Sequence, residues 1–311
     1  MPRGAHHTQR PRPTPQILVA DVPLRRELEP LPAGATLVAE PTPAVEFALL
    51  GTELMPRLPG LMEQLPALRV VQSIFAGVDA LLGVVPAGVT ICSARGAHDI
   101  GVSEWVVAMI LSLRRRLPEL LEFQRAGVWE RNLNESTATG PPPLGPIDDL
   151  AGATVLVLGY GSIGRAVAAR LAPFGARVVG IAAHAREDAQ PPEALGTILP
   201  SADVVVLLTP LTAATERIVD APFLARMKPG ALLVNASRGR LVDTEALVEA
   251  LRSGHVRAAL DVTDPEPLPE GHPLWNAPNV LITPHIAGGV SGWQARAYRI
   301  AGEPLLNVAR A

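Results

Sequence analysis

The sequence has almost no cysteine from which a covalent or metal-held framework could be built. Its single cysteine, Cys92, excludes an intrachain disulfide and a zinc site made of cysteines. Because residues 89–91 before it are mostly apolar, we interpret Cys92 as a buried structural thiol rather than a nucleophile. His6 and His7 stand in a Pro/Arg-rich segment, which we interpret as a disordered tail over residues 1–15 rather than a metal site. No bound metal is expected.

The chain also lacks an excess of positive charge and any long apolar run. Lysine occurs once, at Lys228, and 27 Lys and Arg against 30 Asp and Glu give a net charge of −3. That balance argues against nucleic acid as a partner. No apolar run approaches the roughly 18 residues of a membrane span, and the N-terminus lacks the apolar segment of a signal peptide. We therefore expect a cytoplasmic protein with no membrane or nucleic-acid partner.

What the sequence does contain is enough apolar residues for two domains. The chain has 311 residues, of which 48% are hydrophobic. In the first hundred residues short apolar runs alternate with Pro and Gly, and residues 53–65 have helical character. Strands are predicted at residues 17–20, 36–39, 47–50, 70–73 and 90–93. Strands that alternate with helices predict a small α/β unit with a parallel sheet.

A helical segment and a loop separate this unit from the second half of the chain. Apolar residues recur at helical spacing from Gly101 to Arg125, which predicts one helix that Pro118 kinks. Residues 131–149 are rich in Pro, Gly and Asn and predict a surface loop.

The second half alternates strands and helices regularly. Strands are predicted at residues 154–158, 178–181, 203–208, 231–235, 258–262 and 280–283. Helices are predicted at residues 165–173, 221–227 and 244–253. Six strands with crossover helices are the content of a doubly wound Rossmann domain, and right-handed crossovers favour the sheet order 3-2-1-4-5-6.

A glycine-rich turn joins the first strand and first helix of this half. It reads Gly159-Tyr160-Gly161-Ser162-Ile163-Gly164. Gly159 permits the tight turn, Gly161 lets a pyrophosphate approach the backbone, and Gly164 lets the helix pack against the strand. The N-terminus of the helix then presents N–H groups to the phosphates. In this setting the turn predicts dinucleotide binding.

The acid that holds the ribose 2′-hydroxyl in NAD-binding domains is missing after the second strand. Ala182 and Ala183 stand there, and Glu187 comes late. His184 and Arg186 are candidates to pair with the 2′-phosphate of NADP. The alternative is that both are solvated loop residues. The predicted cofactor is NAD or NADP, with NADP favoured at least as much.

Polar residues follow the carboxyl ends of three later strands. Arg238 follows the strand at 231–235, Glu266 follows the strand at 258–262, and His285 follows the last strand. In doubly wound sheets the chemistry gathers at these ends. Hydride transfer to a keto acid needs a cation for the carboxylate, a proton donor for the carbonyl oxygen and a group that tunes the donor. The three residues meet that need and predict an oxidoreductase.

With these motifs the sequence resembles the D-2-hydroxyacid dehydrogenase family, which includes D-3-phosphoglycerate dehydrogenase and glyoxylate/hydroxypyruvate reductase. Besides the glycine turn, the resemblance rests on N-x-S-R-G-x-x-V-D at residues 235–243, L-D-V-x-x-x-E-P at 260–267, H-P-L-W at 272–275 and T-P-H-x-A-G at 283–288. It implies a doubly wound Rossmann cofactor domain over residues 97–288, inserted in a smaller flavodoxin-like α/β substrate domain over residues 16–96 and 289–311. A homodimer is expected.

The resemblance also implies a role for each matching residue. Arg238 would bind the substrate carboxylate and keto oxygen, and His285 would be the acid/base that Glu266 hydrogen-bonds and keeps protonated for reduction. The N–H groups near Ala76 and Gly77 would hold the carboxylate. The remaining cofactor contacts are implied at the nicotinamide end for Ala236, Ser237, Asp261 and Gly288, and at the adenosine side for Thr209 and Pro210.

The implied function is hydride transfer between nicotinamide and carbon 2 of a small D-2-hydroxy acid or 2-keto acid. Trp105 stands where many relatives have His, so the resemblance does not identify which 2-keto acid is the substrate. The return helix after Gly288 is expected to be about three turns shorter than in most relatives. One alternative is an NAD(H)-sensing, corepressor-like scaffold with little turnover. Formate dehydrogenase-like chemistry calls for Gln in place of Glu266.

Overall fold

The chain divides into two compact units, which are described separately. The computed structural model describes residues 15–19, 22–31, 34–129, 144 and 147–308. Residues 1–14 of the predicted tail and most of the predicted loop over residues 131–149 lie outside this part. We call Met1–Ala97 with Gln294–Ala311 the terminal unit, and His98–Trp293 the central unit. None of the helices among the described residues is long and apolar enough to cross a membrane.

The terminal unit contains a five-stranded parallel sheet. Its strands are β1 (Gln16–Val19), β2 (Thr36–Val38), β3 (Val45–Leu50), β4 (Val70–Ser73) and β5 (Thr90–Cys92). Their order is β2-β1-β3-β4-β5, which is the flavodoxin-like order. Helix α1 (Leu58–Glu63) buries Leu58 and Leu61 in the core beside the sheet. Cys92 is half-buried at the end of β5, and this burial raises the pKa of its thiol.

The central unit contains a six-stranded parallel sheet with helices on both faces. Its strands are β6 (Thr154–Leu158), β7 (Arg177–Ile181), β8 (Val204–Leu207), β9 (Ala231–Asn235), β10 (Val256–Leu260) and β11 (Val280–Ile282). Its helices are α2 (Asp99–Arg114), α3 (Leu117–Arg125), α4 (Ser162–Leu171), α5 (Leu195–Ile198), α6 (Ala221–Arg226) and α7 (Thr244–Arg252).

The continuous apolar strands of this unit are explained by burial on both faces. Along β8, Val204 and Val206 belong to the core that α2 and α4 cover, whereas Val205 and Leu207 belong to the core that α6 and α7 cover. A strand of a parallel sheet covered in this way is apolar at every position. The doubly wound α/β fold predicted for both parts of the chain is confirmed.

The predicted strand order of the central sheet was wrong. The observed order is β11-β10-β9-β8-β6-β7, so the third strand, β8, lies beside the first strand on the side away from β7. The place of a third strand beside β7 is held by Gln190 alone, which forms a single parallel bridge with Ile181. A one-residue bridge leaves no apolar run to detect. Counting it as a strand gives the order 3-2-1-4-5-6-7.

The predicted kinked helix over residues 101–125 is two helices. Arg116 adopts left-handed backbone angles between α2 and α3, with φ of 55°. Pro118 lies in the first turn of α3, where its missing N–H costs nothing. The carbonyl of Arg114, four residues earlier, accepts instead from the N–H of Asp148 at 3.1 Å. The proline therefore ends one helix and starts another.

The last helix, α8 (Trp293–Val308), returns the chain to the terminal unit. It continues through Pro304 for 16 residues. Ala297, Tyr298 and Ala301 are buried, and Arg299 Nε donates to Glu27 at 2.9 Å. The helix is thus anchored in this unit by apolar burial and one surface ion pair.

Candidate active site

The glycine turn after β6 fits a dinucleotide because side chains have no room there. Gly159 has φ of +94°, and a Cβ on it would lie 2.3 Å from the backbone nitrogen of Thr209. A Cβ on Gly164 would lie 3.1 Å from the carbonyl oxygen of Gly159. Gly161 caps α4 without a side chain, so nothing of its own covers the first N–H groups of the helix. The turn therefore leaves the backbone of residues 161–164 accessible to phosphate.

The ends of β8 and β9 bring three predicted cofactor residues together. Ser237 Oγ donates to the carbonyl of Thr209 at 2.5 Å, and Ala236 N–H donates to Leu207 at 3.4 Å. Pro210 follows Thr209 on the exposed side of the same loop. The contact of Thr209 with Gly159 continues this group to the glycine turn.

Arg238 is positioned by a buried asparagine that sequence reasoning had not assigned to the site. Asn235 is fully buried at the end of β9, where its side-chain amide donates to the Arg238 carbonyl at 2.9 Å and its oxygen accepts from Ser237 N–H at 3.1 Å. Arg238 itself is half-buried, and its Nη1 donates to the Ser237 carbonyl at 2.8 Å. Asn235 is the first residue of the N-x-S-R-G motif, but its role of holding the backbone of Ser237 and Arg238 becomes visible only in the folded turn.

The loops that carry Arg238 and Glu266 run directly against each other. A Cβ on Gly239 would lie 1.9 Å from the carbonyl oxygen of Thr263, so only glycine allows this approach. Thr244, the first residue of α7, donates from Oγ1 to the carbonyl of Asp264 at 2.8 Å. The glycine of the S-R-G motif is therefore what allows the two loops to be adjacent.

Asp261 organises the loop that carries His285. The residue is 3% exposed, and its carboxylate accepts from Thr283 Oγ1 at 2.6 Å and from the N–H groups of Ile286 and Ala287 at 2.9 Å each. Its carbonyl accepts from His285 N–H at 2.7 Å. Sequence reasoning placed Asp261 at the nicotinamide end, a contact that stays a prediction, and did not anticipate this anchoring role.

Glu266 and His285 form a hydrogen-bonded pair. His285 Nδ1 lies 2.6 Å from Glu266 Oε1, and the side chains are 52% and 40% exposed. His285 has φ of 53°, an unfavourable backbone conformation for histidine that its two backbone hydrogen bonds hold in place. Because Nδ1 faces the carboxylate, Nε2 is the ring nitrogen left to exchange a proton with a substrate.

Gly288 contacts a histidine that the motifs did not reveal. A Cβ on Gly288 would lie 2.8 Å from Nδ1 of His98, and that nitrogen lies 3.4 Å from the Gly288 carbonyl oxygen. The His98 ring also packs on Trp293 with centroids 4.9 Å apart. His98 precedes α2, far from Gly288 in sequence, so no spacing pattern signals the contact.

The loop after β7 contains an acid that the sequence reading passed over. Arg165 Nε donates to Asp188 Oδ2 at 2.6 Å, and Arg186 Nε lies 3.6 Å from Asp188 Oδ1. The hydrogen bond from Arg165 lowers the pKa of the Asp188 carboxyl. Arg186 Nη2 also donates to the Tyr160 carbonyl at 2.5 Å, while His184 is exposed. Arg186 is therefore held at the glycine turn, with Asp188 beside it.

Two predicted substrate residues lie in the terminal unit. Ala76 is half-buried and Gly77 is exposed in the loop that follows β4. Gln72, fully buried at the end of β4, donates to the Ser73 carbonyl at 2.7 Å, and Ser73 Oγ accepts from Phe75 N–H at 3.0 Å. These bonds shape the start of the loop.

Comparison with known proteins identifies the family. The pattern described as D-isomer specific 2-hydroxyacid dehydrogenase, NAD binding domain, matches residues 107–287. A glyoxylate reductase of Thermofilum pendens is 34% identical over 257 residues, which are 80% of this chain and 74% of the relative.

Two solved structures are also similar over nearly the whole chain. A D-isomer specific 2-hydroxyacid dehydrogenase from Xanthobacter autotrophicus in complex with NADPH and MES has a TM-score of 0.75 and 28% identity, with 96% of each chain covered. An NADPH-dependent glyoxylate/hydroxypyruvate reductase from Sinorhizobium meliloti in complex with NADP and sulfate has a TM-score of 0.75 and 26% identity, and covers 94% of this chain and 93% of its own.

These matches agree with the glycine turn and with the motifs that carry Arg238, Glu266 and His285. They support an oxidoreductase that uses NAD or NADP and acts on small 2-hydroxy or 2-keto acids, and they do not support the corepressor-like alternative. The chain belongs to the D-isomer specific 2-hydroxyacid dehydrogenase family.

Proposed function

We propose that the chain reduces a small, unbranched 2-keto acid of the glyoxylate or hydroxypyruvate type at the group formed by Arg238, Glu266 and His285. The observation that carries this proposal is the 2.6 Å pair of Glu266 and His285 on loops fixed by Gly239 and Asp261. The relatives named glyoxylate reductase and glyoxylate/hydroxypyruvate reductase support the substrate class.

The residues around the glycine turn fit the dinucleotide that this reaction needs. A backbone without side chains at Gly159 and Gly161, together with the N-terminus of α4, is suited to a pyrophosphate. When bound, the nicotinamide supplies the hydride. The residues proposed to contact the cofactor along the ends of β8 and β9 are Thr209, Ala236 and Ser237. Further contacts are proposed for Pro210 and Gly288, at either end of this row.

The protein's own residues bind the acid and move the proton. Arg238 is proposed to hold the substrate carboxylate and keto oxygen, because a guanidinium forms paired hydrogen bonds with planar oxygens. His285 then donates the proton on Nε2 to the forming alkoxide, while Nδ1–H donates to Glu266. The N–H groups of Ala76 and Gly77 are proposed as further carboxylate donors.

The two units are proposed to divide these tasks. The central unit carries the glycine turn and the acid/base pair and is assigned to the cofactor. The terminal unit carries Ala76 and Gly77 and is assigned to the substrate.

The experiment is a panel of 2-keto acids with NADH and NADPH. We expect measurable kcat/KM with glyoxylate or hydroxypyruvate and none with acetaldehyde, which offers a carbonyl but no carboxylate for Arg238. A rate with every 2-keto acid no higher than that of His285→Ala would contradict the proposal.

We propose that NADPH is used at least as well as NADH. Arg165 and Arg186 are close enough to Asp188 to be partly neutralised, so a 2′-hydroxyl and a 2′-phosphate are both tolerated. The measurement is kcat/KM for each cofactor with one keto acid. A preference for NADH above about tenfold, or about 1.4 kcal/mol, would contradict this assignment.

We propose that a second copy of this chain covers the apolar residues at and after α3. Leu117 and Leu121 lie one turn apart and are both 45% exposed, and Trp129 is 89% exposed. An exposed apolar group of this kind is suited to a self-complementary dimer contact. Light scattering should give a dimer that Trp129→Ser weakens. A monomeric wild type would refute the dimer proposal.

We also propose a cytoplasmic location, which cell fractionation would check.

A further inference from the structure

A basic cavity lies at the amino ends of the central strands, at the opposite edge of the sheet from Arg238 and His285. It has a volume of about 340 Å³ and includes the first residue of β9 and the start of β10. Among the described residues that line it, the cations are Arg114, Arg116, Lys228 and Arg257, and the carboxylates are Asp148 and Asp203. The lining therefore carries more positive than negative charge.

The two most buried of these cations donate mainly to backbone carbonyls. Arg114 is 8% exposed, and its Nε and Nη2 donate to the Asp149 carbonyl at 2.9 and 2.5 Å. Arg257 is 7% exposed, and its Nε and Nη1 donate to the carbonyls of Gly230 and Leu113 at 3.1 and 3.0 Å. A carbonyl satisfies a donor but does not neutralise the charge.

Carboxylates compensate this charge only in part. Arg257 Nη2 lies 3.8 Å from Asp148 Oδ2, which is longer than a hydrogen bond. Lys228 pairs closely with Asp203, at 2.6 Å, and Arg116 pairs with Glu119, at 3.0 Å. Burial lowers the pKa of the Arg257 guanidinium, as do the charges of Arg116 and Arg114, whereas the carboxylates of Asp148 and Glu119 raise it. Four cations therefore stand against three carboxylates among these residues, so the group keeps a net positive charge.

We propose that this basic cavity binds a small oxyanion of the phosphate class. Guanidinium groups offer paired donors to tetrahedral oxyanions, and an ammonium at the rim adds a point charge. An oxyanion would balance the remaining positive charge and connect Arg114 at the end of α2 with Arg257 at the start of β10. Its source is either inorganic phosphate or the phosphate of a small monoester.

The site is separate from the one that takes the phosphates of the dinucleotide. The glycine turn lies at the carboxyl end of β6, whereas Lys228 precedes β9 and Arg257 lies at the amino end of β10. Occupation of the basic cavity is therefore expected to stabilise the central unit without contributing to the chemistry at His285.

The test is calorimetric titration of the full chain, saturated with NADP, at constant ionic strength set by chloride. Inorganic phosphate and glycerol phosphate are titrated separately into wild type, Lys228→Gln, Arg257→Lys and the control Arg26→Gln. Arg26 is exposed in the terminal unit, and its loss changes the net charge by the same amount as loss of Lys228. Lys228 is half-exposed, so its variant keeps the test valid if Arg257→Lys does not fold.

We expect saturable binding of one oxyanion per chain in wild type and Arg26→Gln, with a Kd raised about tenfold in Lys228→Gln and in Arg257→Lys. Turnover of a 2-keto acid should be unchanged in Lys228→Gln. The ligand that binds more tightly identifies the source, and either one supports the proposal. Unsaturable heats with both ligands, or the same Kd in wild type and Lys228→Gln, would overturn it.

Discussion

Replacement of Asp261 by asparagine is expected to loosen the loop that carries His285. The carboxylate accepts from Thr283 Oγ1 and Ile286 N–H on Oδ1, and from Ala287 N–H on Oδ2. An amide has one oxygen and one NH₂ group, so at least one of these donors then faces another donor. The residue is 3% exposed, so water does not replace the lost acceptor.

The magnitude follows from the bonds that change. Hydrogen bonds to a charged acceptor contribute about 1.5–3 kcal/mol each, and a buried donor without a partner costs about 1–3 kcal/mol. Asp261→Asn should therefore destabilise the central unit by about 3 kcal/mol, a fall in Tm of about 6–12 °C. A displacement of His285 of about 1 Å should lower kcat by about a hundredfold.

The assay combines thermal unfolding with steady-state kinetics, and Asp220→Asn is the matched control. Asp220 caps α6 by accepting from Phe223 N–H at 2.8 Å, and asparagine caps helices as well as aspartate does. The control should keep its Tm and kcat. If Asp261→Asn keeps both values and only raises the KM for the cofactor, Asp261 acts on the nicotinamide directly and the anchoring argument is wrong.

Three further predictions follow from single contacts. Asp188→Asn should raise the ratio of kcat/KM for NADPH to that for NADH by about threefold or more, because Arg165 and Arg186 lose the carboxylate that partly neutralises them. An unchanged ratio would count against a role of these arginines in binding the cofactor. Burial disfavours the charged form of Asp203, but hydrogen bonds led by Lys228 outweigh it and lower the pKa of Asp203. The ionised Asp203 therefore stabilises the folded state at neutral pH, and this stabilisation is lost as pH falls through the lowered pKa. In urea unfolding, Asp203→Asn should have a lower free energy of unfolding than wild type at about pH 7 and a value closer to wild type at about pH 3. An equal difference at both pH values would refute this prediction. Arg238→Lys should lose at least about a hundredfold in kcat/KM, roughly 2.7 kcal/mol, with cofactor affinity little changed, whereas Arg240→Lys should stay near wild type.

The elements of the fold were predictable because their apolar runs are long enough to read. Residues 204–207 form a buried strand in any arrangement that covers both faces of the sheet, and they were predicted as one. The start of β10 was placed two residues late because Arg257 interrupts its apolar run. The strand order depended on a single bridge at Gln190, which has no sequence signal.

The candidate site was predictable where a motif fixes a side chain at a strand end, as for Arg238 and His285. What could not be predicted are contacts made between loops after folding. Asp261 bonds to N–H groups that reach it only once β10 and β11 pair, and Gly239 matters only because another loop passes 1.9 Å from the place of its missing Cβ. Asp188 was passed over because the chain reverses beyond β7.

The pH dependence of reduction tests the central claim, that Glu266 and His285 act as the proton-delivering pair. For wild type, kcat/KM for a 2-keto acid should be flat at low pH and fall as pH rises, because reduction starts from the imidazolium; oxidation should show the opposite slope. Glu266→Gln removes the carboxylate that holds Nδ1, so its profile should lie below that of wild type, while the exposed control Glu216→Gln should follow wild type. His285→Ala should lose most of the rate at every pH. Superimposable profiles for wild type and Glu266→Gln, or near-normal turnover by His285→Ala, would contradict the account.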